Sequence, residues 1–214
     1  MKKFITVVVI IVLLILLVGV FTLNQPIAFT ELQDPIKADQ KPIQTITPER
    51  KPIKLSFSKS YYSLSPLYEY KIEGRVLSKK RYGGSWDAKL SPYDLVLGWG
   101  QLADKNANKH IKFDQWGRFY FYKFGSSSYL SLDEINRHSS NNHIIPANVN
   151  LKKALKKIKK NDMVVLEGVL VSISGYHKNK SVHWNTSTSR DDKGNGACEI
   201  IYLKQIRINN KIYR

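Results

Sequence analysis

The sequence predicts a mainly β fold with short helices, of the β or α+β class. We expect a small closed or half-closed barrel behind an N-terminal transmembrane helix. Three observations predict this arrangement. An uncharged apolar run opens the chain, short alternating segments bounded by turn residues follow, and a basic amphipathic helix leads directly into a long apolar strand. About six hairpin-connected strands of this kind favour a barrel.

The apolar run begins at Phe4, ends at Leu23 and contains no charged residue. Twenty helical residues span about 30 Å, the thickness of the hydrocarbon layer of a bilayer. No small-residue cleavage pattern follows, so the run indicates an uncleaved signal-anchor rather than a cleaved signal peptide. Because Lys2 and Lys3 precede it, we expect the N-terminus in the cytoplasm and the rest of the chain outside.

The chain is thereby divided into three regions. Residues 1–23 are the signal-anchor, residues 24–54 a Pro-rich linker, and residues 55–214 an extracytoplasmic β-rich domain. Five prolines lie in the linker. Proline at this density disfavours helix and favours an extended, semi-rigid spacer, which would hold the domain away from the membrane.

The first half of the domain alternates well enough to predict a strand at residues 67–78. Ser91 and Pro92 suit the N-cap and first position of a helix, so a short helix is predicted from there to Gly98. Residues 110–113 and 118–124 predict a hairpin across residues 114–117.

The stretch after this hairpin contains a capping box formed by Ser131 and Glu134. It predicts a short helix that ends near Arg137. Residues 138–142 are polar and are predicted to form a loop. Residues 143–146 are predicted to be a short extended piece.

The segment 151–174 organises the rest of the domain. Lysines fill most faces of the predicted helix. The remaining face is one stripe of four apolar residues at helical spacing: Leu151, Ala154, Leu155 and Ile158. Residues 161–162 end the helix, and residues 163–171 predict a strand. Gly168 within that strand predicts a bulge or bend, which a strand that coils around a small barrel requires.

The end of the chain predicts a last hairpin, formed by residues 181–189 and 197–208 around a Gly-containing turn. The helix, Asn-Asp, strand and glycine pattern at 151–173 resembles the entry to the first strand of an OB-fold. The predicted barrel is therefore described as OB-like.

A wider resemblance runs from about Tyr70 to the end of the chain. It is carried by residues 90–100 (LSPYDLVLGWG), 117–120 (GRFY), 142–147 (NHIIPA) and 196–199 (GACE). These segments are similar to those of a family of uncharacterised membrane-anchored bacterial proteins. The resemblance implies a cell-envelope protein and transfers no activity and no catalytic residues.

The chain is strongly basic, with 34 Lys and Arg against 17 Asp and Glu and a formal net charge of +17. Such a charge favours polyanions or an anionic membrane surface, although a lysine-rich composition without function gives the same count. No specific nucleic-acid motif is present. Besides the membrane itself, the expected partners are an anionic polymer, a lipid headgroup or an envelope protein.

Metal and cofactor chemistry is not expected. His138 and His143, with Glu134 one turn earlier, lack the additional cysteines of a structural zinc site. The usual hydrolase, NTPase and dinucleotide fingerprints are absent from the sequence. Cys198, the one cysteine, begins an apolar strand, which is typical of a buried, unreactive thiol. A catalytic Cys-His pair with His143 would form only if folding brought the two together.

The predicted binding site consists of aromatic, cationic and imidazole side chains outside regular elements: Trp99, Trp116, Arg118, His138, His143 and Arg190. Loops on a rigid scaffold often carry such sites, and aromatic and cationic groups together stack on rings and neutralise phosphates. Alternatively, the tryptophans fill the core. We expect His143 and Arg190 to line one cleft, with Trp99 or Trp116 as its wall.

Three functions are compatible with these features. The first is a membrane-tethered, extracytoplasmic binding or accessory module, which is not an enzyme. The second is an envelope hydrolase that uses His143 with Asp94, Glu134 or Cys198. The third is a structural subunit of a membrane complex.

Overall fold

The computed structural model describes residues 2–29, 37–48, 51–125, 128–189 and 198–214. Its first element is the helix α1 (Lys2–Leu23). Within it, Thr6–Leu23 has a mean hydropathy of 3.3 and is not buried against the rest of the chain. The helix is therefore long and apolar enough to span a membrane, as the sequence predicted.

The remaining elements are mostly strands. In chain order they are β1 (Ile43–Ile46), β2 (Ile53–Phe57), β3 (Ser60–Arg81), α2 (Trp86–Leu90), β4 (Tyr93–Gly98), a 3₁₀ turn (Gly100–Ala103), α3 (Lys105–Asn108), β5 (Ile111–Trp116), β6 (Phe119–Phe124), α4 (Leu132–Arg137), β7 (Ser139–Pro146), α5 (Val149–Lys157), β8 (Met163–His177), β9 (Lys180–Trp184), β10 (Glu199–Ile208) and β11 (Lys211–Tyr213). Strands make up 48% of the structure, which confirms the predicted mainly β class.

Five of the strands form a ring. β3 pairs antiparallel with β4, and β4 pairs antiparallel with β7. β7 pairs parallel with β10, and β10 pairs antiparallel with β8. The long ladder between β8 and β3 then closes the ring, so that part of the sheet has no free edge.

The order of strands around this ring is that of an OB-like barrel. Numbered along the chain, the ring runs first, second, third, fifth and fourth strand, and α5 connects the third to the fourth. The OB-like prediction therefore holds for the barrel. The segment at 151–173, however, leads into the fourth strand and not the first. The sequence pattern of a helix followed by a coiled strand is the same before the first barrel strand and before the fourth.

The barrel interior is filled by alternate residues of the ring strands, since successive side chains of a strand point to opposite faces. Leu95 and Leu97 of β4, Ile144 of β7 and Ile201 of β10 belong to this core and are fully buried. α5 closes one end of the barrel. Its predicted apolar stripe is confirmed, because all four side chains are buried in the same core.

Gly168 lies where β8 and β10 approach most closely. A Cβ atom at this position would lie 2.1 Å from the carbonyl oxygen of Tyr202. The pairing register of β10 shifts nearby, between Leu203 and Gln205. The predicted role of this glycine in a bulged, tightly coiled strand is thus confirmed, and its cause is backbone contact rather than a special φ angle.

Two further apolar clusters cover the outer face of the barrel. One includes Leu102, Phe113 and Ile135, from the 3₁₀ turn, β5 and α4. The other includes Tyr62 and Leu90, with Ile145 of β7. The outward-facing residues of β4, β7 and β10 between these clusters are therefore sheltered from solvent without being part of the barrel core.

The helix predicted to start at Ser91 and Pro92 was wrong. Residues 93–98 form the fully buried strand β4, between β3 and β7. A short helix, α2, instead precedes Ser91 and ends there. A short, mainly apolar run such as residues 93–98, which contains one charged residue, does not distinguish a buried strand from a helix. Here pairing on both edges favours the strand.

The loop predicted at residues 138–142 was also wrong. Residues 139–146 form β7, and the polar residues Ser139, Ser140, Asn141 and Asn142 are buried within it. Polar side chains normally indicate exposure, but these find partners inside the fold. Asn142, for example, donates to the carbonyl oxygen of Leu95.

Of the two predicted hairpins, the structure contains the first but not the second. The β5–β6 hairpin turns at Gly117 and Arg118, both with positive φ, and its strands reach Trp116 and Phe119. The last predicted hairpin was wrong, because β9 pairs with β8 while β10 pairs with β7 and β8. Residues 190–197, which hold the predicted turn and Arg190, lie outside the described residues.

Parts of the predicted linker lie against the barrel. β1 and β2 both pair antiparallel with β3. Phe29 forms an isolated antiparallel bridge with Ile212 of β11. The extended conformation expected from the prolines is therefore used for pairing with the sheet at these places.

Candidate Cys-His-Asp site

Three adjacent ring strands carry the chemically active side chains on their outer face. Asp94 of β4 lies directly opposite His143 of β7. His143 lies opposite Ile200 of β10, so Cys198, two residues earlier, falls beside Asn141. Side chains of one parity share one face of a strand. The register alone therefore brings together the three residues that we name the Cys-His-Asp cluster: Cys198, His143 and Asp94.

His143 connects the other two members of this cluster. Its Nδ1 atom lies 2.9 Å from Oδ2 of Asp94, and the thiol of Cys198 lies close enough to the imidazole to affect its pKa. Because Nδ1 faces the carboxylate, Nε2 is the ring nitrogen that remains for the thiol. The imidazole is 2% exposed and Asp94 is fully buried, so water does not screen this pair.

Opposing effects act on the pKa of His143. Burial by itself lowers this pKa, whereas the hydrogen bonds and charges of Asp94 and Cys198 raise it, and the net result is a pKa of about 9. The imidazole is therefore a cation at neutral pH, held between a buried carboxylate and a sulfur atom.

Arg118 supplies the second cation of the site. Its Nη1 donates to Oδ1 of Asp94 at 2.7 Å, and its Nε donates to Oδ2 of Asp87 at 2.6 Å. Nη2 donates to the carbonyl oxygen of Ser91 at 3.1 Å. The guanidinium thus holds the fully buried Asp94 between two cationic side chains, those of Arg118 and His143.

Asp87 shows the electrostatic effect of the same guanidinium. Burial raises the pKa of Asp87, but a hydrogen bond from Ser85 and the charge and hydrogen bond of Arg118 outweigh it. The pKa of Asp87 is therefore lowered, and the group remains a carboxylate that anchors Arg118.

Asn141 places a donor beside the sulfur. Its Nδ2 lies 3.7 Å from Sγ of Cys198 and also donates to the carbonyl oxygen of Arg118 at 2.8 Å. The side-chain amide is held by Gln115, whose Nε2 donates to Oδ1 of Asn141 at 2.9 Å. Cys198 itself is half-buried, so the thiol retains a path to solvent.

Aromatic rings surround the two cations. The ring of Trp184 lies 4.7 Å from that of His143, measured between centroids. The guanidinium of Arg118 lies 4.1 Å from the ring centroid of Tyr82 and 5.3 Å from that of Trp184. Trp184 packs in turn edge-on against Trp86. These rings limit access of water and provide the apolar wall that the sequence assigned to Trp99 or Trp116.

Two of the predicted site residues meet here, namely Arg118 and His143. Trp99 and His138 meet each other elsewhere, with ring centroids 6.3 Å apart. Trp99 follows the end of β4 and His138 precedes the start of β7, five positions or about 17 Å along the strands from the Asp94–His143 pair. Trp99 is 2% exposed, so its alternative interpretation as a core residue describes it better.

The remaining two residues of the predicted site are Trp116 and Arg190. Trp116 lies two positions before Arg118 at the end of β5 and is 77% exposed, so it borders the site without closing it. Arg190 lies outside the described residues, and the predicted cleft between it and His143 stays a prediction.

Sequence reasoning left Asn141, Trp184, Tyr82 and Asp87 out of the predicted site. Asn141 was assigned to a loop, and a strand assignment would have placed it on the same face as His143. Asp94 was named only as an alternative. Its position inside the apolar run of β4 is the signal that could have identified it, because a charge in a buried strand requires a partner.

The described residues hold no group of three or more His, Cys, Asp or Glu side chains that is arranged to hold a metal ion. The chemical groups that the described site offers are the thiol of Cys198, the imidazole of His143 and the amide of Asn141. Comparison of the chain with family models, with curated proteins and with solved structures found no match.

Proposed function

We propose that the domain is a membrane-tethered cysteine enzyme that cleaves or transfers acyl groups. Cys198 is the nucleophile, His143 the acid–base group and Asp94 the residue that orients the imidazole. The observation that carries the proposal is the position of His143 between the carboxylate of Asp94, 2.9 Å from its Nδ1 atom, and the thiol of Cys198, which contributes to its raised pKa. A nucleophile, a base and a group that orients the base are the arrangement shared by hydrolases of unrelated folds.

The reaction follows from these positions. The reacting state is the ion pair in which Nε2 of His143 already holds the proton of the thiol, as the cationic imidazole requires, and the thiolate sulfur attacks the carbonyl carbon of an ester or amide. A C–S bond forms, the bond to the leaving group breaks, and the imidazolium donates its proton to the departing oxygen or nitrogen. Water or a second nucleophile then attacks the thioester, gives its proton to His143, and releases the thiol.

Asn141 is suited to stabilise the charge that develops during both attacks. Its amide nitrogen lies 3.7 Å from Sγ, which places an N–H group beside the carbonyl oxygen of an acylated Cys198. A donor that is already held in place by Gln115 needs no reorganisation when the oxyanion forms.

The arrangement favours an enzyme over the binding or accessory module. A binding site requires exposed groups, whereas Asp94 and His143 are nearly inaccessible and direct their charges towards a half-buried thiol. Burying such a charged chain has a cost in desolvation. Catalysis at the thiol is a reason for the protein to keep these charged groups buried, since strongly perturbed buried groups concentrate at active sites.

The location that fits this proposal is the cell envelope. Lys2 and Lys3 precede the apolar run of α1, which favours a cytoplasmic N-terminus and a domain on the extracytoplasmic side of a bacterial membrane. An alkaline phosphatase fused after Arg214 should be active in cells if the domain is outside. An inactive fusion would indicate the opposite orientation, with the domain in the cytoplasm.

The test of the activity uses the full chain in detergent with p-nitrophenyl acetate. Because Cys198 is the one cysteine of the chain, a thiol-bound acetyl group detected by intact-mass measurement reports that residue alone. We expect a burst of p-nitrophenol with an acetylated thiol. Cys198→Ala should abolish both, and His143→Gln should slow them about 100-fold or more.

Two further variants sharpen this test. Asn141→Ala should slow turnover by about 100-fold, as removal of an oxyanion donor does elsewhere. His138→Gln removes an imidazole that packs on Trp99, outside the cluster, and should leave the rate unchanged. Equal acetylation rates in wild type and His143→Gln would reject the catalytic role and return the domain to the binding or structural alternatives.

A further inference from the structure

The junction between α1 and α5 is lined by residues that are not part of the Cys-His-Asp cluster. After α1 the chain is fastened to α5 by Asn150, whose Oδ1 accepts from the backbone N–H of Ile27 at 2.7 Å and whose Nδ2 donates to the carbonyl oxygen of Ile27 at 3.0 Å. The Phe29–Ile212 bridge follows directly. These contacts hold α5 at the end of the membrane-spanning helix.

A cavity of about 530 Å³ lies at this junction. One wall is apolar and comes from the last turns of α1, through Leu17, Val18, Val20 and Phe21. The opposite wall comes from α5 and carries Lys153, Lys156 and Lys157. Lys153 also donates to the carbonyl oxygen of Leu23, so this lysine is tied to the helix end itself.

Within the described part of the chain, no carboxylate pairs with the three lysines of this wall. Among the described residues, the carboxylates that form salt bridges pair with other cations. Lys152 adds a further exposed cation to α5. The apolar wall and the cationic wall together match a molecule with an acyl chain and an anionic head.

We propose that this cavity binds the headgroup of an anionic phospholipid. The phosphate is held by Lys153, Lys156 and Lys157, and the first part of the acyl chains lies along the apolar residues of α1. The proposal requires that α1 crosses the membrane, which would place the cavity at the level of the headgroups. It is independent of any activity at Cys198.

The test uses the full chain in detergent micelles, with native mass spectrometry of retained lipid. Dioleoyl phosphatidylglycerol and dioleoyl phosphatidylcholine have the same tails, so the difference between them reports the headgroup. We expect the anionic lipid to be retained preferentially. Replacing Lys153, Lys156 and Lys157 with Gln should weaken its binding about a hundredfold, the loss expected for three cations near an anionic surface.

A matched control removes the same charge from the opposite end of the barrel. Lys59, Lys178 and Lys180 lie at turns of the β2–β3 and β8–β9 hairpins and are exposed. Their replacement with Gln should leave lipid binding unchanged. Both triple variants should keep the far-UV CD spectrum of the wild type, because none of the six side chains is buried.

Three outcomes would overturn the proposal. Equal retention of the two lipids would show that the cavity does not recognise the anionic headgroup. An equal loss in the control variant would reduce the effect to net charge. Displacement of the lipid by soluble glycerol 3-phosphate at the same concentration would indicate a free phosphate site instead.

Discussion

The pKa of His143 predicts a specific dependence of stability on pH. In the folded chain this pKa lies at about 9, against an ordinary value of 6.5. At about 1.4 kcal/mol for each pH unit, the difference corresponds to about 3 kcal/mol. The folded state holds the proton more tightly, so this contribution is complete below pH 6.5 and is lost as the pH rises through 9.

The measurement is urea unfolding of residues 24–214, followed by tryptophan fluorescence at pH 6 and at pH 9.5. Lysines and tyrosines also titrate above pH 9, so the useful quantity is the difference between wild type and His143→Gln. We expect wild type to lose about 3 kcal/mol more than His143→Gln between these two pH values. Cys198→Ala should show a smaller difference, since the thiol contributes to the raised pKa.

The reasoning would be refuted if wild type and His143→Gln lost the same stability over this range. It would also be refuted if wild type became more stable relative to the variant as the pH rose. Either result would mean that the imidazole is not charged beside Asp94 at neutral pH. The acid–base role of His143 would then need another explanation.

Three further predictions concern the fold. Leu155→Asp should unfold residues 24–214, because it places a charge at a fully buried position of α5, and a circular dichroism melt that matches wild type would contradict this. Gly168→Ala should destabilise the domain by about 1–3 kcal/mol, because its Cβ would collide with the backbone of β10, whereas Gly83→Ala, with open space around it, should change the urea midpoint little. The full chain should remain in the membrane fraction after an alkaline carbonate wash because of the apolar length of α1, and its release would reject the membrane span.

Local sequence patterns determined the helices α1, α4 and α5 and the general class of this fold. The stripe of α5 was predictable because four apolar residues at helical spacing leave one buried face, whatever that face packs against. Gly168 was predictable for a similar reason, since a glycine in an apolar strand indicates close backbone approach. The uncharged run of α1 needed only its length and composition.

Only the tertiary structure determined that the polar residues of β4 and β7 are buried in strands. Asp94 lies in an apolar run that also suited a helix, and Asn141 and His143 lie in a stretch that suited a loop. Each is buried because its partner comes from another strand, so local hydropathy gave the wrong assignment. Strand register is a property of the whole sheet and no short segment encodes it.

The candidate site depends on this register more than on any motif. Cys198 lies 55 residues after His143 and more than 100 residues after Asp94. The three meet because β7 pairs with β4 on one side and with β10 on the other. The sequence by itself determined which chemical groups were present and where the three helices with clear local signals, α1, α4 and α5, would form. The closure of the barrel decided which of those groups are neighbours, because contact between distant residues follows from strand order.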